Sequence, residues 1–135
     1  MSHYKYFREK LFIEGISVQN IIKKNKTPFY LYSEQQIKEN YLHFEKTFKN
    51  INPLICFAAK ANTNLAIMKI LKKLGSGADV VSGGELLKAL KAGIKPNKIV
   101  FSGVGKTEEE LKLAIKKKIL LINVESESEA ILINK

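Results

Sequence analysis

From residue 33 onward, hydrophobic positions alternate between helix-period stripes and short unbroken apolar runs. Ile37, Tyr41, Phe44 and Phe48 recur at i, i+4, i+7 and i+11, one face of a helix. Ser33-Glu34-Gln35-Gln36 precedes them as a capping box, with Ser33 as N-cap and Gln36 reaching back. Asn52-Pro53 ends that helix, and Leu54–Ala59 follows as an apolar run of strand length. Strands buried on both faces read this way, without alternation. A helix opening at Asn64 or Thr63 puts Ile67, Met68, Leu71 and Leu74 on one face, with Gly75 where a C-terminal cap belongs. Ala78–Val81 is the next strand. Ser82-Gly83-Gly84-Glu85 is a second capping box, leading to Leu86, Leu87 and Leu90. Lys98–Phe101 is a third strand, Thr107–Glu110 a third box, and Ile119–Val124 a fourth strand. Ser126-Glu127-Ser128-Glu129 starts a last helix.

Strand onsets near residues 54, 78, 98 and 119 recur every 20–24 residues. Strands and helices alternating at that interval predict βα units on a parallel sheet. Right-handed crossovers leave two architectures, an open doubly wound sheet or a (β/α) barrel of which four units are half. Even spacing and the lack of a glycine fingerprint favour the barrel. The first 32 residues stand outside this rhythm, and Thr27–Tyr32 reads as a strand ahead of the first helix.

Composition changes this picture little. The 135 residues are 45% hydrophobic and 27% charged, ordinary globular usage. Mean hydropathy is -0.11, and no apolar run approaches the roughly 18 residues of a membrane span. The N-terminus lacks the apolar stretch and cleavage site of a secretory signal. One cysteine, Cys56, permits no intrachain disulfide and suits a reducing, cytoplasmic setting. Net charge is +10, but Arg8 is the only arginine and the lysines are dispersed. Nucleic-acid readers rely on arginine for bidentate and stacking contacts, so solvated faces are the better account and no nucleic-acid partner is expected.

Lys60 is the leading candidate for chemistry. It directly follows the 54–59 strand, and ligands of parallel α/β proteins gather beyond the carboxyl ends of strands. Its alanine neighbours leave room for a planar ligand, and partial burial would favour the neutral amine a Schiff base needs. A strand-end lysine pointing into water is the alternative. Asp79 lies in an apolar strand, costly unless paired or functional. Glu85 is explained by its capping box. Gly103-Val104-Gly105-Lys106-Thr107 imitates a phosphate-binding loop, but the required earlier glycine is Val100, and Lys106-Thr107 reads as loop residue and N-cap. Cys56 reads as a core residue. His3 and His43 are far apart, and no metal-ligand spacing occurs.

These segments together resemble the N-terminal part of the diaminopimelate decarboxylase family, within the fold-type III pyridoxal-phosphate enzymes. Leu11–Ser17 and Thr27–Ser33 resemble the family's opening, and Phe57-Ala58-Ala59-Lys60-Ala61-Asn62 its cofactor-lysine motif. Gly77–Leu86 is the most specific segment. Ornithine and arginine decarboxylases share the lysine motif and diverge more at that segment. Lys26 departs from the glycine usual before Thr-Pro. The resemblance implies the N-terminal half of a (β/α)8 TIM barrel of the alanine racemase-like type. Residues 33–135 would be its first four βα units. Residues 1–32 would pack with a C-terminal β-domain, and the strand at 27–32 would join it. Lys60 would hold pyridoxal 5'-phosphate covalently, with Asp79 and Glu85 lining the cofactor region. The implied reaction is decarboxylation of meso-2,6-diaminopimelate to L-lysine by a homodimer acting on a small amino acid.

The family's ring-stacking histidine, glycine-rich phosphate loop and ring-nitrogen acid have no counterpart among these residues. The expectation is therefore a truncated, split or remnant enzyme, inactive by itself. The alternatives are a piece of an ornithine- or arginine-type decarboxylase and a non-catalytic half-barrel scaffold.

Overall fold

The computed structural model describes residues 3–135; Met1 and Ser2, which begin the expected 1–32 segment, lie outside the described residues. The chain divides into two compact parts, Met1–Thr47 and Phe48–Lys135.

The first part opens with three short antiparallel strands: β1 (Tyr4–Phe7), β2 (Lys10–Ile13) and β3 (Ile16–Ser17). Their two-residue turns, Arg8-Glu9 and Glu14-Gly15, have positive φ at both positions (46° and 61°, 48° and 80°). That is the turn geometry whose twist matches paired strands. The short helix α1 (Val18–Ile22) follows. The strand expected at 27–32 is absent, and the segment runs without a strand ladder. Its backbone is met by a side chain instead: the Tyr4 hydroxyl donates to the Leu31 carbonyl and accepts from the Ser33 N–H. A strand needs a neighbouring backbone, and none of the described strands pairs with this one.

Helix α2 (Glu34–Thr47) begins where the capping pattern places it, with Ser33 Oγ accepting from the Gln36 N–H at 2.9 Å. Gln36 does not reach back; its amide donates to Asn40. Glu14 supplies the second acceptor, taking the Ser33 hydroxyl and the Gln35 N–H. His3 lies 2.8 Å from the Glu39 carboxylate. These ties join α2 to the strands before it, and the division into compact parts falls after α2.

The second part repeats strand and helix four times: β4 (Cys56–Ala58), α3 (Leu65–Lys73), β5 (Gly77–Val80), α4 (Gly83–Lys91), β6 (Ile99–Phe101), α5 (Glu108–Lys117), β7 (Leu121–Ile122) and α6 (Glu127–Ile133). Asn64 is the N-cap of α3, its side chain accepting from the Ala66 N–H at 2.8 Å. Gly75 stands just beyond that helix with φ +99°, a conformation glycine adopts without steric cost. The strands are parallel and ordered β4-β5-β6-β7. A doubly wound sheet reverses its strand order; this one does not. Consecutive helices α3 to α6 pack side by side. The second part is therefore half of a (β/α)8 barrel.

The core lies between the strands and this helix layer. Ala78, Val80, Ile99 and Phe101 meet Met68, Leu86, Ala89 and Ala114 there. The other strand face carries Cys56, Ala58, Asp79 and Val100, all half-buried. This corrects the expectation of burial on both faces. Cys56 is likewise half-buried on that open face, because helices cover only one side. The end strands are shorter than predicted, three residues at β4 and two at β7.

Candidate functional site

The backbone leaves β4 at Ala58 and makes one 3-10 turn, Ala59–Ala61. Ala59 points into the core and is fully buried, which anchors the turn. Lys60 follows it at the carboxyl end of the strand, as its sequence position predicts. It is exposed, not partly buried as expected. The reason is topological: among the described strands β4 pairs with β5 alone.

Asp79 sits on β5 directly across from Ala58 in the parallel register. Its neighbours on that row are Ala58 and Val100, and its charge acts on the Cys56 thiol of β4. Asp79 Oδ1 is fully buried and has no hydrogen-bond partner among the described residues. A buried acceptor without a donor is costly, and its retention points to a ligand or a further group as the partner. Burial foremost, and then the nearby Asp79 charge, push the Cys56 thiol up from its ordinary value. The thiol is thus held protonated and unreactive.

Glu85 is placed one helical turn beyond. Ser82 Oγ accepts from the Glu85 N–H at 3.2 Å, so the N-cap half of the expected box is present. The return half is altered: the Glu85 carboxylate accepts from the Val81 N–H at 2.9 Å, not from Ser82. Glu85 thereby fixes the backbone where β5 turns into α4, two residues after Asp79. At the neighbouring helix start the box is complete at Thr107 and Glu110. Glu110 also accepts from the Gly83 N–H at 2.7 Å, and these backbone donors hold its carboxyl below the ordinary value.

The sequence reading missed Lys106. It is no plain loop residue: its side chain is fully enclosed, with Nζ 2.7 Å from both Glu129 Oε1 and the Asn123 carbonyl. Its ammonium lies 5.8 Å from the Phe101 ring centroid. The Lys106 contact, and then the Glu125 N–H, hold the Glu129 carboxyl below its ordinary value. The available signal was a lysine and a capping glutamate in consecutive βα loops, which the phosphate-loop comparison obscured.

Residues 34–135 match the family described as "Pyridoxal-dependent decarboxylase, pyridoxal binding domain". The chain belongs to this family. The diaminopimelate decarboxylase of Helicobacter pylori (strain J99 / ATCC 700824) is 55% identical over 108 residues, covering 80% of this chain and 27% of that protein. That of Aquifex aeolicus is 48% identical over 132 residues, covering 98% and 31%. The crystal structure of M. jannaschii diaminopimelate decarboxylase in complex with L-lysine is 42% identical, covering 98% of this chain and 32% of that one, with a TM-score of 0.94. The chain thus spans about a third of the length of the relatives it matches. The family's cofactor is pyridoxal phosphate. The residues present fit that group: a primary amine stands at an open strand end, and one register step away is a buried carboxylate oxygen lacking a donor. No helix among the described residues is long and apolar enough to cross a membrane.

Proposed function

We propose that this chain is the cofactor-lysine part of a pyridoxal-phosphate decarboxylase converting meso-2,6-diaminopimelate to L-lysine. The observation that carries the substrate assignment is its 42–55% identity to diaminopimelate decarboxylases across both the lysine and Asp79–Glu85 segments. Residues 33–135 are read as the first four βα units of the cofactor-binding barrel. Residues 1–32 are read as a segment that packs with a β-domain. A homodimer, a small amino-acid substrate and a cytoplasmic setting belong to the same reading.

When bound, pyridoxal phosphate takes up the electron pair left as a carboxylate departs from the α-carbon as carbon dioxide. Lys60 Nζ would hold the cofactor covalently through its aldehyde carbon. Its position beyond the strand end, on a turn anchored by Ala59, puts the residue at the end of the sheet where Asp79 lies on the next strand. Asp79 would supply the negative charge opposite that amine and accept a proton-bearing nitrogen at Oδ1. Glu85 would act on Asp79 through the backbone, by pinning the Val81 N–H. Ala58, the small residue paired with Asp79, leaves that part of the face open to a flat ring.

The test is borohydride reduction of the 135-residue chain with pyridoxal phosphate, followed by peptide mass spectrometry. The pyridoxyl group should concentrate on Lys60 over the other lysines, and Lys60→Ala and Lys60→Arg should lose that site. An even spread over the lysines of the unaltered chain overturns the assignment. Carbon dioxide release from meso-diaminopimelate by this chain alone should stay at the level of free pyridoxal phosphate, because transition-state stabilisation needs several prepositioned groups together.

A further inference from the structure

Across the uncovered strand face, Ala58, Asp79, Val100 and Leu121 lie in register as one row. Two residues on, Val81, Ser102 and Asn123 follow β5, β6 and β7, while Lys60 stands on the 3-10 turn after β4 at the same end of the sheet. The ladder continues to these residues: the Ser102 N–H donates to the Val80 carbonyl and the Asn123 N–H to the Phe101 carbonyl, each at 2.9 Å. Ser102 and Asn123 thus lie just past the carboxyl ends of β6 and β7, the end of the sheet at which Lys60 follows β4. Their side chains are joined, with Asn123 Nδ2 donating to Ser102 Oγ at 2.9 Å. That bond leaves the serine hydroxyl hydrogen to donate and the Asn123 side-chain Oδ1 to accept.

The enclosed pair behind them gives the arrangement its rigidity. Lys106, from the loop between β6 and α5, crosses to the loop between β7 and α6. There it holds the Asn123 carbonyl and the Glu129 carboxylate, and Glu129 in turn holds the Glu125 N–H at 2.7 Å. An ammonium and a carboxylate enclosed together persist only when their remaining bonds are satisfied, as these are. Lys106 holds the Asn123 backbone and the Asn123 side chain holds Ser102, so the pair's geometry is passed to both.

We propose that Ser102 and Asn123 extend the Lys60 site and hydrogen-bond an oxygen substituent of the ligand held there, and that Lys106 and Glu129 are the residues that position them. This rests on the reading of Lys60 as the cofactor lysine. The shared chemistry is an oxygen acceptor or hydroxyl, supplied either by the pyridine ring of the cofactor or by the carboxylate of the amino acid.

Borohydride trapping at Lys60 tests it, read as the pyridoxal phosphate concentration giving half-maximal label. A second arm reads the meso-diaminopimelate concentration that halves the trapped yield. Ser102→Ala and Asn123→Ala should each shift one of these by about fivefold, the loss of one neutral hydrogen bond. A shift in the first arm assigns the contact to the cofactor, and a shift in the second to the amino acid. Glu129→Gln, which keeps shape and a hydrogen bond, should shift the same arm less than the Lys106→Met/Glu129→Leu double variant. That double variant buries no lone charge and serves where Lys106→Met fails to fold. If label still concentrates on Lys60 but neither arm moves more than twofold in the folded variants, the inference is overturned alone. If the unaltered chain shows no preference for Lys60, the underlying reading falls and this one with it.

Discussion

In residues 48–135, Phe101, Met68, Leu86 and Ile99 are completely buried where the helix layer meets the strands. In residues 3–47, the buried apolar side chains among the described residues are Ile13 and Tyr41, while Tyr6, Phe7, Ile16, Tyr30 and Phe44 are exposed. The first of these parts coheres by apolar burial, with polar ties added at helix starts. The other coheres by side-chain hydrogen bonds from His3, Tyr4 and Glu14 to residues 31–39. Apolar burial is non-directional and tolerates small errors in register. Polar ties are directional, and each depends on the protonation and placement of a single side chain. The repeats can therefore form one sheet from similar units, whereas the N-terminal part depends on a few individual contacts.

The sharpest way to break this comparison is to empty the core of the repeats. Phe101→Ala should cost about 3–5 kcal/mol, measured from the urea midpoint of the chain. A loss under about 1 kcal/mol would show that the packing described for this part is wrong. Next comes the enclosed pair: Glu129→Leu alone strands the Lys106 ammonium and should cost about 3 kcal/mol. The Lys106→Met/Glu129→Leu double variant should be more stable than that single one, and additive losses would rule out coupling between the two. In the N-terminal part, Ser33→Ala removes an N-cap and should cost about 1 kcal/mol. Its signature is faster hydrogen exchange at the first turn of α2, with residues 48–135 unchanged; a general loss of protection would contradict the division.

The smallest effect expected is that of acid, and it touches both parts. Glu14 is held below the ordinary 4.5 by the Ser33 hydroxyl first and then the Gln35 N–H. Glu110 and Glu129 are held below it as well. A carboxyl lowered in the folded state adds stability above the ordinary value and loses it as pH falls through the folded one. Stability should therefore be level near neutrality and fall below about pH 4.5. Glu14→Gln should reduce the acid sensitivity of exchange in the first turn of α2, and an unchanged acid profile there would remove Glu14 from the account.

Much of the repeat architecture was legible in the residues themselves. Ser33, Asn64, Ser82, Thr107 and Ser126 each start a helix because a short polar side chain satisfies a backbone N–H within three residues, an interaction local enough to read along the chain. Lys60 was legible for a similar reason, since its place at a strand end follows from where the apolar run stops. The partners of the capping glutamates were not. Glu85 takes the Val81 N–H and Glu129 takes that of Glu125, because in both cases the chain enters the helix directly from a strand end. The paired hairpins of β1 to β3 were missed too, since Arg8-Glu9 carries none of the asparagine or glycine that usually marks such a turn.

Sequence by itself determined the order of the repeats, the helix starts and the place of Lys60 after a strand end, all set by spacing and local hydrogen bonding. Only the tertiary structure decided between a barrel and a doubly wound sheet, because strand order is a property of pairing and not of periodicity. It also decided that Lys60 stands exposed, that Asp79 keeps a buried oxygen without a donor, and that Lys106 is enclosed with Glu129. Each of these depends on which strand ends and loops come together, and residues 21 to 23 positions apart meet there because parallel strands bring successive repeats into register.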